Sequence, residues 1–280
     1  MNAPDPAAIS AMHAGQRAVR WLDRSADARA DASSPAPGFA AARANPSASE
    51  CRLDASRCRL CNVRRACPSD PGQDPGAVIA VPVFRKVPRG SALYRAGDEF
   101  HDFYRICSGS FKLRLTSASG REQIPGFPIV GDFLGLDGIE SGQHGCDAIA
   151  LEDSQVCAIP FSGILARCRQ DAGAQDILNR LFAGEITRER RLLMAVGCLN
   201  ADSRLAVFLA DLSGRLAARG YSGREFHLRM TREDIGNHLG MKLETVSRSL
   251  ARLQAEGTVS VRHKHLEIRN PSRLTELSAA

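Results

Sequence analysis

From residue 77 to residue 161 the sequence repeats one pattern, in which a short apolar run is followed by turn residues. The runs are VIAVPVFRKV, SALYRAGD, DFYRICSGSFKLRLT, EQIPGFPIVGDFLGL, CDAIALED and SQVCAIPF. Turn residues such as Ser108-Gly109 and Ser119-Gly120 separate them. Strand-length runs at this spacing are typical of an antiparallel β domain, which the pattern predicts over residues 76–170.

Helical periodicity replaces the strand pattern after Pro160. Residues 171–200 are predicted to contain one long helix, because apolar residues recur at helical spacing within 174–198. A second amphipathic helix, ADSRLAVFLADLSGRLAARG, is expected to follow, with Asp202 near its start and Gly220 just past its end.

Composition limits what the rest of the chain can do. Hydrophobic residues make up 44% of the 280 residues and charged residues 24%, which excludes wholesale disorder. Residues 1–50, rich in Ala, Asp, Arg, Pro and Ser, are nevertheless predicted to be a disordered N-terminal extension. We expect no membrane partner and a cytoplasmic location, since the sequence has neither a long apolar stretch nor a secretion signal. The nine cysteines are therefore expected to stay reduced and to serve metal or thiol chemistry.

A helix-turn-helix is predicted within TREDIGNHLGMKLETVSRSLARLQAEG. Thr231 and Asp234 form an N-terminal capping pattern, and Gly240 suits the tight turn between two helices. Apolar residues at helical spacing in the second helix are expected to be buried: Leu243, Val246, Leu250 and Leu253. The net charge of +6 is consistent with a polyanionic partner, and the helix-turn-helix predicts that this partner is double-stranded DNA.

The exposed face of the second helix carries the candidate base-reading residues, which are Glu244, Ser247 and Arg248. Arg can bind guanine through two hydrogen bonds, Glu can accept from cytosine, and Ser fits beside a thymine methyl. Lys242 is expected to contact phosphate, and Thr245 is a further candidate contact. Val259, Val261, Leu266 and Ile268 alternate around Arg262 and Lys264, which predicts a β wing whose basic residues touch phosphates.

Three cysteines have metal-ligand spacing. Cys58, Cys61 and Cys67 form C-x2-C-x5-C, and Cys51 lies seven residues earlier. An iron–sulfur cluster or a zinc ion would need a fourth, distant ligand. The sequence has no second C-x2-C pair, which favours a cluster over zinc.

The order of β-roll, long helix and winged helix-turn-helix resembles the CRP/FNR superfamily of bacterial transcription regulators over residues 51–275. The most specific strings are ALYRAGDEFHDFYRICSGSFKL, VGDFLG, GEITRERRLLM and DIGNHLGMKLETVSRSLARLQ. The cysteines make it similar to the FNR branch, the oxygen-responsive iron–sulfur regulators. The resemblance therefore implies an α+β chain with a cyclic-nucleotide-binding-like β-roll, a dimerisation helix (171–200) and a winged helix-turn-helix (201–280). It assigns 51–75 to cluster binding.

The resemblance also implies how such a protein works. A [4Fe–4S] cluster promotes a homodimer that binds palindromic TTGAT-like sites and meets RNA polymerase, and oxygen reverses this. In the family the fourth ligand lies just before an I-P-F string, which places Cys157 in VCAIPF. Cys146 is the nearby rival, and Cys51 corresponds to an extra cysteine that is not needed as a ligand.

The long helix matches the family's dimerisation helix, so Ile186, Glu189 and Leu193 are candidate dimer contacts. The carboxylate of Glu189 corresponds to a group that opposes dimerisation. The alternative is that the charges of TRERR simply face water on this helix.

Other function classes are weaker predictions. The alternative is a cluster-independent or small-ligand-responsive CRP-type regulator, but residues 130–151 contain no Arg to bind a cyclic-nucleotide phosphate. A haem protein would need an axial ligand such as His144, which we expect in a surface loop. No motif of an enzyme is present, so the protein is predicted not to be one.

Overall fold

The computed structural model describes residues 83–279. The described chain begins with the strands β1 (Val83–Val87), β2 (Ala92–Tyr94), β3 (Asp102–Ser108), β4 (Phe111–Thr116), β5 (Glu122–Gln123), β6 (Phe133–Leu134), β7 (Asp147–Ala150) and β8 (Ser154–Pro160). They form two antiparallel sheets, with the orders β1-β8-β3-β6 and β2-β7-β4-β5. The predicted antiparallel β-roll is confirmed.

The two faces of strand β8 belong to different hydrophobic cores. Val156 and Ala158 lie in the core between the two sheets. Cys157 and Ile159 alternate with them and lie in a second core, which packs the outer face of the sheet against helices. The side chain of Cys157 is therefore on the helix side of the roll.

Three helices follow the roll: α1 (Phe161–Gln170), α2 (Ala172–Cys198) and α3 (Ala201–Ala217). The predicted long helix and the amphipathic helix after it are confirmed as α2 and α3. Asp171 begins α2 by accepting from the backbone N–H of Gly173, and Asn200 caps α3 in the same way. Helix α1 was not predicted, although β8 leads directly into it at Pro160.

The C-terminal part contains β9 (Glu225–His227), α4 (Arg232–Leu239), α5 (Leu243–Ala255), β10 (Val259–Arg262), β11 (His265–Ile268) and α6 (Pro271–Ala279). The strands form a sheet of order β10-β11-β9. This arrangement confirms the predicted winged helix-turn-helix, to which the structure adds β9 and α6.

One hydrophobic core joins the roll to the C-terminal part. Ile124, Phe127 and Ile129 of the roll share it with Leu205 and Leu209 of α3 and with buried residues of α4 and α5. Within residues 83–279 no helix is both long and apolar enough to cross a lipid bilayer.

Candidate DNA-binding surface and cysteine site

Local chemistry sets both ends of helix α4. The Thr231 side chain accepts from the backbone N–H of Asp234, and the Asp234 side chain accepts from that of Thr231, which completes a capping box. Gly240 ends the helix in the left-handed conformation, with φ 63° and ψ 40°. A Cβ at Gly236 would lie 2.5 Å from the Met241 carbonyl oxygen, so the turn can approach α4 only over a glycine.

Helix α5 buries a narrower face than the sequence predicts. Val246, Leu250 and Leu253 are buried, but Leu243 is 45% exposed, so its predicted burial is wrong. Leu243 is the first residue of the helix and has no preceding helical turn to pack beside it. The small Ser249 is buried on the inner face instead.

The predicted DNA contacts lie together at the N-terminal end of α5. Glu244 and Arg248 are exposed, one helical turn apart, while Thr245 and Ser247 are half-buried. The Ser247 hydroxyl accepts from Arg232 of α4 at 3.2 Å. Lys242 is exposed at the N-cap position and makes no side-chain capping bond, since an ammonium group has no acceptor for backbone N–H groups. The end of α5 thus presents both charges and a hydroxyl to solvent.

The β10–β11 hairpin carries basic residues at its turn. Arg262 and Lys264 are exposed, and His263 between them has φ 56°. Val259, Leu266 and Ile268 are buried beneath the hairpin. The wing therefore holds two cations away from the protein core, close in sequence to the recognition helix.

The roll contacts the first helix of the motif directly. Lys112 of β4 donates to Asp234 at 2.6 Å, and His238 contacts the Ile124 carbonyl oxygen at 2.8 Å. Burial alone would raise the pKa of Asp234, but hydrogen bonds from Lys112 and Thr231 lower it below its usual value. The sequence analysis missed this contact, because the partners of the Lys112–Asp234 pair are 122 residues apart.

A carboxylate–arginine network joins the roll to α2 and α3. Asp132 is buried and forms ion pairs with Arg188 of α2, with Arg215 of α3 and with Arg219, which follows the end of α3. Arg188 also pairs with Glu185 at 2.6 Å. A single acidic side chain thus pairs with three arginines, one in α2, one in α3 and one just after α3.

Cys157, the predicted fourth ligand, lies in β8, between β1 and β3. It is directly opposite Phe84 of β1 and Arg105 of β3. It is 7% exposed and belongs to the core between the sheet and the helices. The other predicted ligands, Cys58, Cys61 and Cys67, and also Cys51, lie outside the described residues.

Cys146, the rival ligand, has a different environment. It lies in the core between the two sheets, where its thiol donates to Asp137 at 3.5 Å. Burial and the nearby Asp137 carboxylate raise the pKa of this thiol, which disfavours the thiolate that a metal needs. Among residues 83–279 no group of three or more His, Cys, Asp or Glu side chains could hold a metal ion.

The sequence-based expectation that His144 lies in a surface loop is wrong. It is buried, and its ring stacks on Tyr94 with a centroid distance of 3.6 Å. The expectation was wrong because the polar residues next to His144 in the sequence suggested a solvent-exposed loop. In the structure its ring packs against aromatic side chains of the roll.

The exposed face of α2 carries large apolar side chains at two positions along the helix, near residue 186 and near residue 193. Ile186 is 47% exposed and Leu193 is 71% exposed, and Met194 beside it is 59% exposed. Glu189 is exposed between Ile186 and Leu193. The helix therefore presents large apolar side chains to solvent around a carboxylate.

Comparison with known proteins agrees with this architecture. The Crp-like helix-turn-helix domain family matches residues 203–277, and the cyclic nucleotide-binding domain family matches residues 84–171. The fumarate and nitrate reduction regulatory protein of Escherichia coli strain K12 is 42% identical over 200 residues, which cover 69% of this chain and 78% of that protein.

Solved structures show the same fold. FixK2 from Bradyrhizobium japonicum is 30% identical, with a TM-score of 0.65, and the match covers 72% of this chain and 99% of FixK2. A CRP-family transcriptional regulator from Thermus thermophilus is 18% identical with a TM-score of 0.56, over 70% of this chain and 97% of that chain. The Escherichia coli and Thermus thermophilus relatives are regulators by name and not enzymes, in agreement with the sequence-based prediction. The chain belongs to the CRP/FNR family of DNA-binding transcription regulators.

Proposed function

We propose that this protein is an oxygen-responsive regulator of anaerobic gene expression in the cytoplasm. The observation that carries the proposal is the 42% identity to the fumarate and nitrate reduction regulatory protein, together with the spacing of Cys58, Cys61 and Cys67. In this proposal residues 51–75 and Cys157 hold a [4Fe–4S] cluster. A homodimer then binds palindromic TTGAT-like sites through α5 and acts on RNA polymerase.

The position of Cys157 fits a ligand shared with the N-terminal segment. Strand β1 is the first described element, and its residue Phe84 lies directly opposite Cys157. Sixteen positions separate Cys67 from Val83, and an extended chain of that length reaches up to about 50 Å. Chain length therefore allows all three N-terminal cysteines to approach the fourth. The chemistry also fits, because thiolates are the usual ligands of such clusters.

The residues around Cys157 connect it to the proposed dimer helix. Its core on the outer face of the sheet includes Ile164 of α1 and Leu178 of α2, and Phe182 packs against that core. When bound, the cluster would supply the sensitivity to oxygen. The chain's own part is to transmit a change in the position of β8 to the first turns of α2 through these contacts.

A cyclic nucleotide is not proposed as the ligand. Although residues 84–171 match the cyclic nucleotide-binding domain family, no arginine occurs from Val130 to Leu151. Tyr94, Tyr104 and Phe111 also fill the core between the two sheets. A phosphate there would find no arginine from residues 130–151 and would need these rings to move.

The test of the cluster is the metal content of cysteine variants. After anaerobic purification we expect Cys157→Ser to lose iron and acid-labile sulfide, because serine does not replace a thiolate ligand. Cys146→Ser is expected to retain both, as is Cys198→Ser, an exposed control at the end of α2. A cluster that survives in Cys157→Ser but not in Cys146→Ser would reverse the assignment. Zinc in place of iron and sulfide in the parent would contradict the proposed function.

We further propose that Glu189 keeps the affinity of the dimer formed through α2 low. Ile186 and Leu193 would supply apolar contact across a two-fold axis, where the two Glu189 carboxylates would repel one another. Glu189→Ala is therefore expected to tighten the aerobic dimer by roughly fivefold, equivalent to about 1 kcal/mol.

Sedimentation in air measures this effect. Asp176→Ala is the matched control, since it removes the same charge from another exposed position of α2. An unchanged monomer–dimer equilibrium for Glu189→Ala, or an equal shift in both variants, would contradict the role of Glu189. In that case the charges of TRERR face water.

A further inference from the structure

The side chain of Arg105 shares a face of the sheet with Cys157. Arg105 of β3 is directly opposite Cys157 of β8, and directly opposite residues of antiparallel strands project to the same side. On its other side Arg105 is opposite Phe133 of β6. Phe84, on the other side of Cys157, and Phe133 are apolar. Arg105 is therefore the charged residue directly opposite Cys157.

Arg105 has no counter-charge in the described part of the chain. Its Nε atom is buried and has no hydrogen-bond partner within residues 83–279, and no described carboxylate forms an ion pair with Arg105. Two other arginines, Arg85 and Arg215, do have carboxylate partners. Arg85 pairs with Asp102 at 3.4 Å, and Arg215 pairs with both Asp132 and Asp211.

A buried, unpaired guanidinium N–H is costly and calls for an explanation. Its partner should be an acceptor, and most favourably an anion, because guanidinium groups bind anions through charge-assisted hydrogen bonds. The one nearby side chain that the proposed function makes anionic is Cys157, as a thiolate ligand. Four such thiolates around a [4Fe–4S] core leave the whole centre negatively charged, and the net charge and hydrogen bonds to sulfur set its reduction potential.

We propose that Arg105 is the counter-charge of the iron–sulfur centre and tunes its stability towards oxidation. This inference rests on the proposed function, since it requires the cluster that Cys157 helps to hold. A cation near the centre favours its more reduced, more negative state. Arg105 thus raises the reduction potential of the centre and slows the loss of the cluster in air. It acts through its charge and is not a ligand.

The experiment compares the full-length parent with Arg105→Met, Arg105→Lys and Arg85→Met, all purified anaerobically. Arg105→Met removes the charge and keeps an unbranched side chain, while Arg105→Lys keeps the charge. Arg85→Met is the matched control, because Arg85 lies on the neighbouring strand β1 opposite Val156, on the other face of the sheet. Three quantities are measured: iron and sulfide per chain, the midpoint potential with redox mediators, and the rate at which the visible absorbance disappears in air.

We expect Arg105→Met to bind normal iron and sulfide, to show a lower midpoint potential, and to lose its absorbance about tenfold faster in air. A tenfold change in a one-electron equilibrium corresponds to about 59 mV. Arg105→Lys and Arg85→Met are expected to stay close to the parent. Equal potentials and rates in the parent and Arg105→Met would overturn the role of Arg105 while leaving the cluster intact.

Two other outcomes are also decisive. A parent without iron and sulfide would overturn the proposed function, and with it the role of Arg105. If Arg105→Met does not fold, Arg105→Gln replaces it, since glutamine keeps a polar side chain without the charge. A parent-like potential in a folded Arg105→Gln would count against the proposal in the same way.

Discussion

Asp132→Asn is expected to lower the free energy of unfolding by about 3 kcal/mol, because it leaves three guanidinium groups without their shared carboxylate. Removing one partner of a buried ion pair costs about 3–5 kcal/mol, and the lower end applies here because the arginines reach solvent. Arg188, Arg215 and Arg219 would then repel one another around position 132, where the roll meets α2 and α3. Chemical denaturation of the cluster-free protein measures the change.

Asp211→Asn is the control for Asp132. It removes a carboxylate of the same size that pairs with Arg215 at the edge of the same network. Because this pair is more exposed, its loss is expected to cost less than about 1 kcal/mol. Equal losses of stability in the two variants would show that Asp132 has no special place in the network.

Arg248→Ala is expected to weaken operator binding by roughly tenfold to a hundredfold, with little change in binding to random DNA. The reason is that Arg248 is exposed at the N-terminal end of α5, where a base contact contributes about 1–3 kcal/mol of discrimination. Titration of labelled operator and random duplexes at several salt concentrations separates the two effects.

Lys264→Ala provides the comparison for Arg248. An exposed lysine on the wing is expected to contact phosphate, so its loss should weaken both duplexes and reduce the salt slope by about one. If Arg248→Ala reduces the affinity for operator and random DNA equally, Arg248 contacts only the backbone.

Several features of the fold could be predicted because short-range contacts determine them. The boundaries of α4 follow from Thr231, Asp234 and Gly240, which interact with residues three or four positions away. Helix α1 was missed, because residues 161–170 were assigned to the β domain and helical spacing was recognised only within 174–198. Leu243 was assigned to the buried face because it fits the apolar periodicity of α5. Periodicity does not show that the first residue of a helix has no preceding turn to pack beside it.

The candidate site divides in the same way. The spacing of Cys58, Cys61 and Cys67 is visible in the sequence, and the VCAIPF string points to Cys157. The sequence offered no physical reason to prefer Cys157 over Cys146. The structure shows that their surroundings differ, since Cys146 lies between the two sheets beside Asp137 and Cys157 lies on the outer face of the sheet towards the helices.

The sequence by itself determined the order of the elements, the helix-turn-helix and its exposed Glu244 and Arg248, because capping, turn glycines and hydrophobic periodicity act over a few residues. Only the tertiary structure decided which distant side chains meet. It placed Arg105 opposite Cys157, Asp132 among arginines of two helices, and Lys112 against Asp234. The physical reason is that strand register and helix packing are set by burial of the apolar surface of the whole domain, and the periodicity of one segment does not specify its partner.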